Sequence, residues 1–254
     1  MKKPVFKLYK KPVEQQIAIL YSLIGIETEL PREWLIEYFG LNVAMFKNLS
    51  IEERKNLLKH TIEEIYNKQR NAIDKSINDM QKLLPTFEED LISIFADVFN
   101  IKYDGNEDYV IMAGISPMCP RFLEAKSFDI CIFNTFKQIN QTIVHEMIHF
   151  FWFEKLKELN FNLNATDKEY PNPIWLISEI VVDCIIKDTE LKKYLANSHP
   201  AYNIFYSTEI GGENIINKFD KEFKNAKNIV EFIKFTENFL QKYKNELDLL
   251  ALKC

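Results

Sequence analysis

Glycine is scarce in this chain, six residues in 254, and proline adds only nine. That shortage argues against long linkers, repeat turns and a multi-stranded β-barrel. Low-complexity tracts and internal repeats of solenoid period are also missing. No apolar window approaches the length of a membrane span. The one basic run, Lys2, Lys3, Lys7, Lys10 and Lys11, is interrupted by prolines and is followed by no long apolar stretch. It reads as a solvated, partly frayed end rather than a secretory signal. Four cysteines, Cys119, Cys131, Cys184 and Cys254, show no paired spacing and give weak grounds for disulfides. A net charge of −5 offers little electrostatic reason to bind nucleic acid, which rewards clustered Lys and Arg. These absences set the expectations of a soluble, cytoplasmic protein with neither a membrane nor a nucleic acid as partner.

The chain is 47% hydrophobic and 13% aromatic, enough to bury a full core in one domain or two small subdomains. Helical spacing of apolar residues runs from Glu14 to Ile24, and Pro31-Arg32-Glu33-Trp34 looks like another helix start. Ser50-Ile51-Glu52-Glu53 is a capping sequence for a long charged helix that reaches Leu84, where Pro85 is expected to stop it. A further helix is expected over Phe87 to Phe99. Strand formers then fill Asp108 to Ile115 and Phe128 to Phe133. The alternation in the second run predicts a half-buried strand at a sheet edge, able to receive an extended peptide through its backbone. Helical pattern returns from Phe136 to Leu159, and Asn172-Pro173 caps a last clear helix, Ile174 to Lys187. The expected class is mainly α with a small β-sheet (α+β). A helical N-terminal segment, 1–85, would precede a metal-binding domain, 86–254.

Histidine is rarer still, four in the whole chain, and two of them stand in His145-Glu146-Met147-Ile148-His149. Residues four apart share one helix face, so both imidazoles can converge on one metal. Glu146 sits one position round from His145, beside the metal, where it can deprotonate a bound water. The neighbours Ile143, Val144, Phe150, Phe151 and Trp152 make this helix apolar almost all round. Two imidazoles buried there need partners, and a metal supplies them. A zinc site needs a third protein ligand and an open position. Glu179 and Asp183 are again four apart, in the apolar run Trp175 to Ile186. The natural assignment puts Glu179 on the metal and Asp183 behind it, accepting the far N–H of a ligand histidine.

At this point the sequence resembles the gluzincin metallopeptidases, in which His-Glu-x-x-His is followed on a second helix by Glu-x-x-x-Asp. The resemblance covers about a hundred residues, from Phe87 to Lys187. It implies a zincin-like core with extra N- and C-terminal helices, Zn²⁺ on His145, His149 and Glu179, Glu146 as general base and Asp183 as supporting carboxylate. It also implies peptide-bond hydrolysis of a peptide or protein substrate, with a Tyr or His beyond the third ligand steadying the oxyanion. His199, Tyr202 and Tyr206 are the candidates, of which His199 and Tyr202 are preferred. The Gly and third His of the metzincin continuation are absent from Phe150 to Glu158, and no Gly-x-Met-x-Asn element precedes the site. Two other readings stand beside the peptidase: a zinc hydrolase of a non-peptide amide or ester, and a non-catalytic zincin-like binding or regulatory protein. Substrate and oligomeric state are not legible.

Overall fold

Short apolar alternation near the N-terminus, Phe6 and Leu8 inward with Lys7 and Tyr9 outward, is enough to add a strand to a sheet. The computed structural model describes residues 6–28, 31–102, 108–161 and 163–254. In chain order the elements are β1 (Phe6–Lys10), α1 (Val13–Ile24), α2 (Glu33–Tyr38), α3 (Val43–Asn48), α4 (Ile51–Lys68) and α5 (Arg70–Phe99). Three strands follow, β2 (Tyr109–Gly114), β3 (Arg121–Phe122) and β4 (Ser127–Cys131). Then come α6 (Phe136–Glu158), α7 (Pro173–Lys187), β5 (Glu209–Ile210), β6 (Glu213–Asn214), α8 (Ile215–Asn225), α9 (Ile229–Lys242) and α10 (Lys244–Ala251). The protein is thus mainly helical with a small mixed sheet. Among the described residues no helix is long and apolar enough to cross a membrane. All four cysteines are free.

The chain divides into two compact units. One comprises Phe6–Thr86 and Asp108–Thr135 and carries the four-stranded sheet, in the order β1-β2-β4-β3. β1 and β4 each run parallel to β2, and β3 is antiparallel to β4. The register sets Leu8 beside Ile111 and Ile111 beside Phe128, so one sheet face is a continuous apolar layer, and all three are buried. Ser50 and Glu53 close the expected capping box at the start of α4. The Arg54 guanidinium gathers the carbonyls of Ile26, Phe46 and Lys47, at 3.2, 3.1 and 2.6 Å, satisfying helix ends that would otherwise lack partners.

The second unit contains residues 87–102 and 136–254. Its centre is α6 and α7. From Pro173 to Ile186 every α7 residue but Ile174 is buried, which is why that helix carries so little polar sequence. Asn172 caps it as expected, accepting from the Ile174 N–H at 2.8 Å. Phe151 of α6 stacks on Phe95 at 4.9 Å, and Phe219, Phe232, Phe235 and Phe239 build an aromatic cluster between α8 and α9. Gly211 and Gly212, both at positive φ, make the two-residue turn between β5 and β6.

Three expectations change. Residues 6–10 are not a frayed end but β1, because Phe6 and Leu8 gain a buried layer by pairing with β2. Pro85 does not stop a helix. It lies inside the 30-residue α5, whose apolar stripe continues on both sides as Met80, Leu84, Leu91, Ile92 and Phe95. Burial of that stripe outweighs the roughly 3 kcal/mol that proline costs within a helix. β4 is not an edge strand, since β3 pairs with it at Arg121 and Phe122. It is also not half-buried: Phe128 to Ile132 are all buried, Asp129 among them.

The C-terminal end of α7 carries a charge arrangement with a measurable consequence. Burial, then a hydrogen bond with Asp220, pushes the Asp188 carboxyl up to about 6. Asp220 ends below its ordinary value: hydrogen bonds from Asp188 and Lys224 outweigh its burial. Lys224 reaches both, at 3.3 and 2.7 Å. The folded chain therefore keeps a proton at Asp188 that the unfolded chain releases near pH 4. Its contribution to stability is complete below about pH 4 and is lost as pH rises through about 6. Asp188→Asn removes that dependence. The variant is expected to be more stable than the parent above pH 6, by about 1 kcal/mol after allowance for solvent screening, with the gap closing towards pH 4. Urea melts across pH 4 to 8 measure it, and a gap independent of pH would refute the shared proton.

Candidate metal centre

His145 and His149 stand one turn apart on α6, and Glu179 projects from α7. The two Nε2 atoms are 3.1 Å apart, His145 Nε2 lies 3.2 Å from Glu179 Oε2, and His149 Nε2 lies 3.4 Å from Glu179 Oε1. A tetrahedral zinc with nitrogen ligands at about 2.05 Å has ligand–ligand edges of roughly 3.3 Å. The observed triangle has those dimensions. One donor atom from each residue falls within 4.8 Å of the others, and this is the cluster of metal-ligating type among the described residues. His149 is fully buried and Glu179 is 2% exposed, whereas the His145 side chain keeps 19% of its surface. The triangle thus has a closed side within the helix pair and one accessible corner. Two neutral imidazoles and a carboxylate are a borderline donor set that suits zinc. The adjoining Glu146 is also buried, 6% exposed, on the same turn of α6 as His145.

Asp183, one turn beyond Glu179, is buried too, but its Oδ1 is taken by two other groups. The Tyr206 hydroxyl donates to it, and Lys187 Nζ lies at 2.9 Å. Its Oδ2 has no hydrogen-bond partner among the described residues. Burial and then the bond to Asp183 push the Tyr206 phenol well above its ordinary value, so it stays protonated. The Tyr206 ring in turn lies 4.1 Å from the His199 ring, and Lys187 sits 5.1 Å over it. His199 and Tyr202 are both exposed, and Tyr202 packs its edge towards Trp175.

A second tie holds the same loop. Gln141, one turn before His145 on α6, accepts from the backbone N–H groups of Ala196 and Asn197 at 2.7 and 3.2 Å. The segment from Ala196 to Tyr206 is therefore anchored on both helices, by Gln141 one turn from His145 and by Asp183 one turn from Glu179. Tyr206, the third of the loop candidates, is the one that ties the loop to α7 through Asp183. The signal available in the sequence was Asp183 itself: a carboxylate in an apolar helix needs a donor, and a tyrosine is a common one.

No family model and no solved structure matches the chain. Among curated proteins it is 29% identical over 161 residues to the transcription termination/antitermination protein NusA of Mycoplasma genitalium, a match covering 61% of this chain. The chain spans only 28% of that relative's length.

That likeness corrects two expectations. A relative named for transcription termination and antitermination points away from a metallopeptidase cleaving peptide or protein substrates, and that reading is withdrawn. It equally removes the exclusion of nucleic acid as a partner. The exclusion rested on a net charge of −5, which is a difference between 37 acidic and 32 basic residues. Such a sum says nothing of where the 32 cations stand, and local clusters rather than totals bind phosphates.

Proposed function

We propose that His145, His149 and Glu179 hold one zinc ion and that Glu146 handles the proton of a water there, making this a zinc-hydrolase centre. The observation that carries the reading is the triangle of donor atoms with edges of 3.1, 3.2 and 3.4 Å, brought together from two buried helices. Zinc in such a site supplies Lewis acidity that brings the pKa of a coordinated water near 7. The chain supplies the rest. His149 and Glu179, sealed from solvent, fix two ligand positions with little freedom to relax. His145 marks the accessible side. Glu146 is placed to take a proton onto its carboxylate and give it up again, which needs no second acid. Asp183 and Gln141 act one shell further out by holding the loop from Ala196 to Tyr206 beside both helices.

The test uses cobalt in place of zinc, because its visible absorption reports the coordination directly. Wild-type protein and Glu146→Gln are both expected to take up a single cobalt per chain with a tetrahedral spectrum. The wild-type spectrum should titrate near neutral pH, and the variant's titration should be displaced. A variant that loses cobalt, or one whose titration is unchanged, removes Glu146 from the role of base.

The likeness to NusA favours a second reading, a part in transcription termination or antitermination carried by the 161 matched residues. Single-round transcription across a terminator, with and without the purified chain, tests it. A reproducible change in readthrough supports the reading, and none at saturating protein refutes it.

A further inference from the structure

In the unit that carries the sheet, one face of β2 and β4 is covered by the apolar layer of Ile111 and Phe128, and the other is left partly open. Successive residues of a strand point to opposite sides, so Val110, Met112, Ser127 and Asp129 share this second face, in the register Val110 to Ser127 and Met112 to Asp129. They form the floor of a groove of about 470 Å³, with Ile19 and Ala18 of α1 on one wall and Phe122 of β3 on another. That volume falls in the range of small-molecule sites.

The end of the groove is unusual. Lys11 and Asp129 line it as an ion pair, their side chains only 5% and 3% exposed. Lys11 engages Oδ2 of Asp129. The other oxygen, Oδ1, is buried and has no hydrogen-bond partner among the described residues. A buried acceptor without a donor is costly and rare in native proteins.

We infer that this groove is a binding site for an uncharged amphiphilic small molecule, an apolar chain or ring bearing one hydroxyl or amide N–H that donates to Asp129. The charge arrangement selects the class. A phosphate or carboxylate could reach a cation here only by drawing Lys11 away from Asp129, which would strand a buried carboxylate. An amine would add a charge to a pair that is already neutral. A neutral donor satisfies Oδ1 and changes no net charge, while Val110, Met112, Ile19 and Phe122 take the apolar body. The site belongs to the sheet unit and does not rest on the metal centre.

Three probes decide it: octanol, its isomer heptyl methyl ether, which lacks the O–H, and octanoate. The readout is the methyl resonance of Met112 in methyl-labelled full-length protein, assigned by Met112→Leu. Octanol is expected to shift it saturably, and the ether and octanoate to bind at least about ten-fold more weakly, the loss of one buried hydrogen bond. Ala18→Trp, at an exposed position of α1, fills the groove without touching the ion pair. It should abolish the octanol response and leave the melting temperature unchanged. No saturable shift with octanol, equal binding of the ether, or an Ala18→Trp protein that still binds would each overturn the inference.

Discussion

His149→Ala is expected to lose zinc outright, falling from a single ion per chain to background by elemental analysis of untagged protein purified without chelators. His149 is fully buried, 3.1 Å from His145 and 3.4 Å from Glu179, so no water can replace it without reopening the helix pair. Two ligands remain in the variant, too few for a structural or catalytic zinc site. Thermal melting gives an independent measure. A ligand at a hundred times its Kd contributes about 2.7 kcal/mol to the folded state. Wild-type protein should therefore melt at clearly higher temperature with zinc than with chelator, and the His149→Ala protein should melt at the same temperature in both. A wild-type protein indifferent to zinc would defeat the assignment of all three ligands at once.

The second large effect is expected in the other compact unit, at the buried pair of Lys11 and Asp129. Asp129→Ala leaves the Lys11 ammonium buried without its partner, and breaking a buried pair in this way costs about 3–5 kcal/mol. Urea unfolding followed by circular dichroism should show it as a marked fall in midpoint. The paired substitution Lys11→Met with Asp129→Leu removes both charges at once and should recover most of the loss, or exceed the parent. The contrast between single and double variants separates the cost of a stranded charge from any net benefit of the pair. A loss below about 1 kcal/mol in Asp129→Ala would mean that Lys11 finds water, as surface pairs do. Burial alone already raises the Asp129 carboxyl against the pull of Lys11, which marks how strongly this position is desolvated.

What could be read from the sequence follows from period and from scarcity. α6 and α7 were legible because each holds an unbroken apolar pattern longer than three turns, bounded at Asn172-Pro173 by a cap of known chemistry. Glu179 and Asp183 stood out because polar residues are few in α7, and His145 and His149 because the chain has only four histidines. Their i, i+4 spacing says which share a face, but not which partner each meets. Asp183 illustrates the difference: its partner, Tyr206, comes from a loop whose path no local pattern specifies. β1 was hidden for another reason. With lysines between its apolar residues it is too short for a convincing alternation, and its strand character exists only through a pairing with β2. Pro85 was a conflict between a local rule and distant packing, and packing prevailed.

The parallel pairing of β1 with β2 also bears on how the chain is made. Phe6 lies beside Tyr109, with about a hundred residues of chain between them. A ribosome delivers the first strand long before its neighbour exists, so Phe6 and Leu8 must wait, unshielded, through the synthesis of five helices. Helices α1 and α4 can pair in that interval, because both emerge early and touch each other. The sheet completes late, and nascent chains arrested before residue 109 should be the ones that chaperones hold and proteases find.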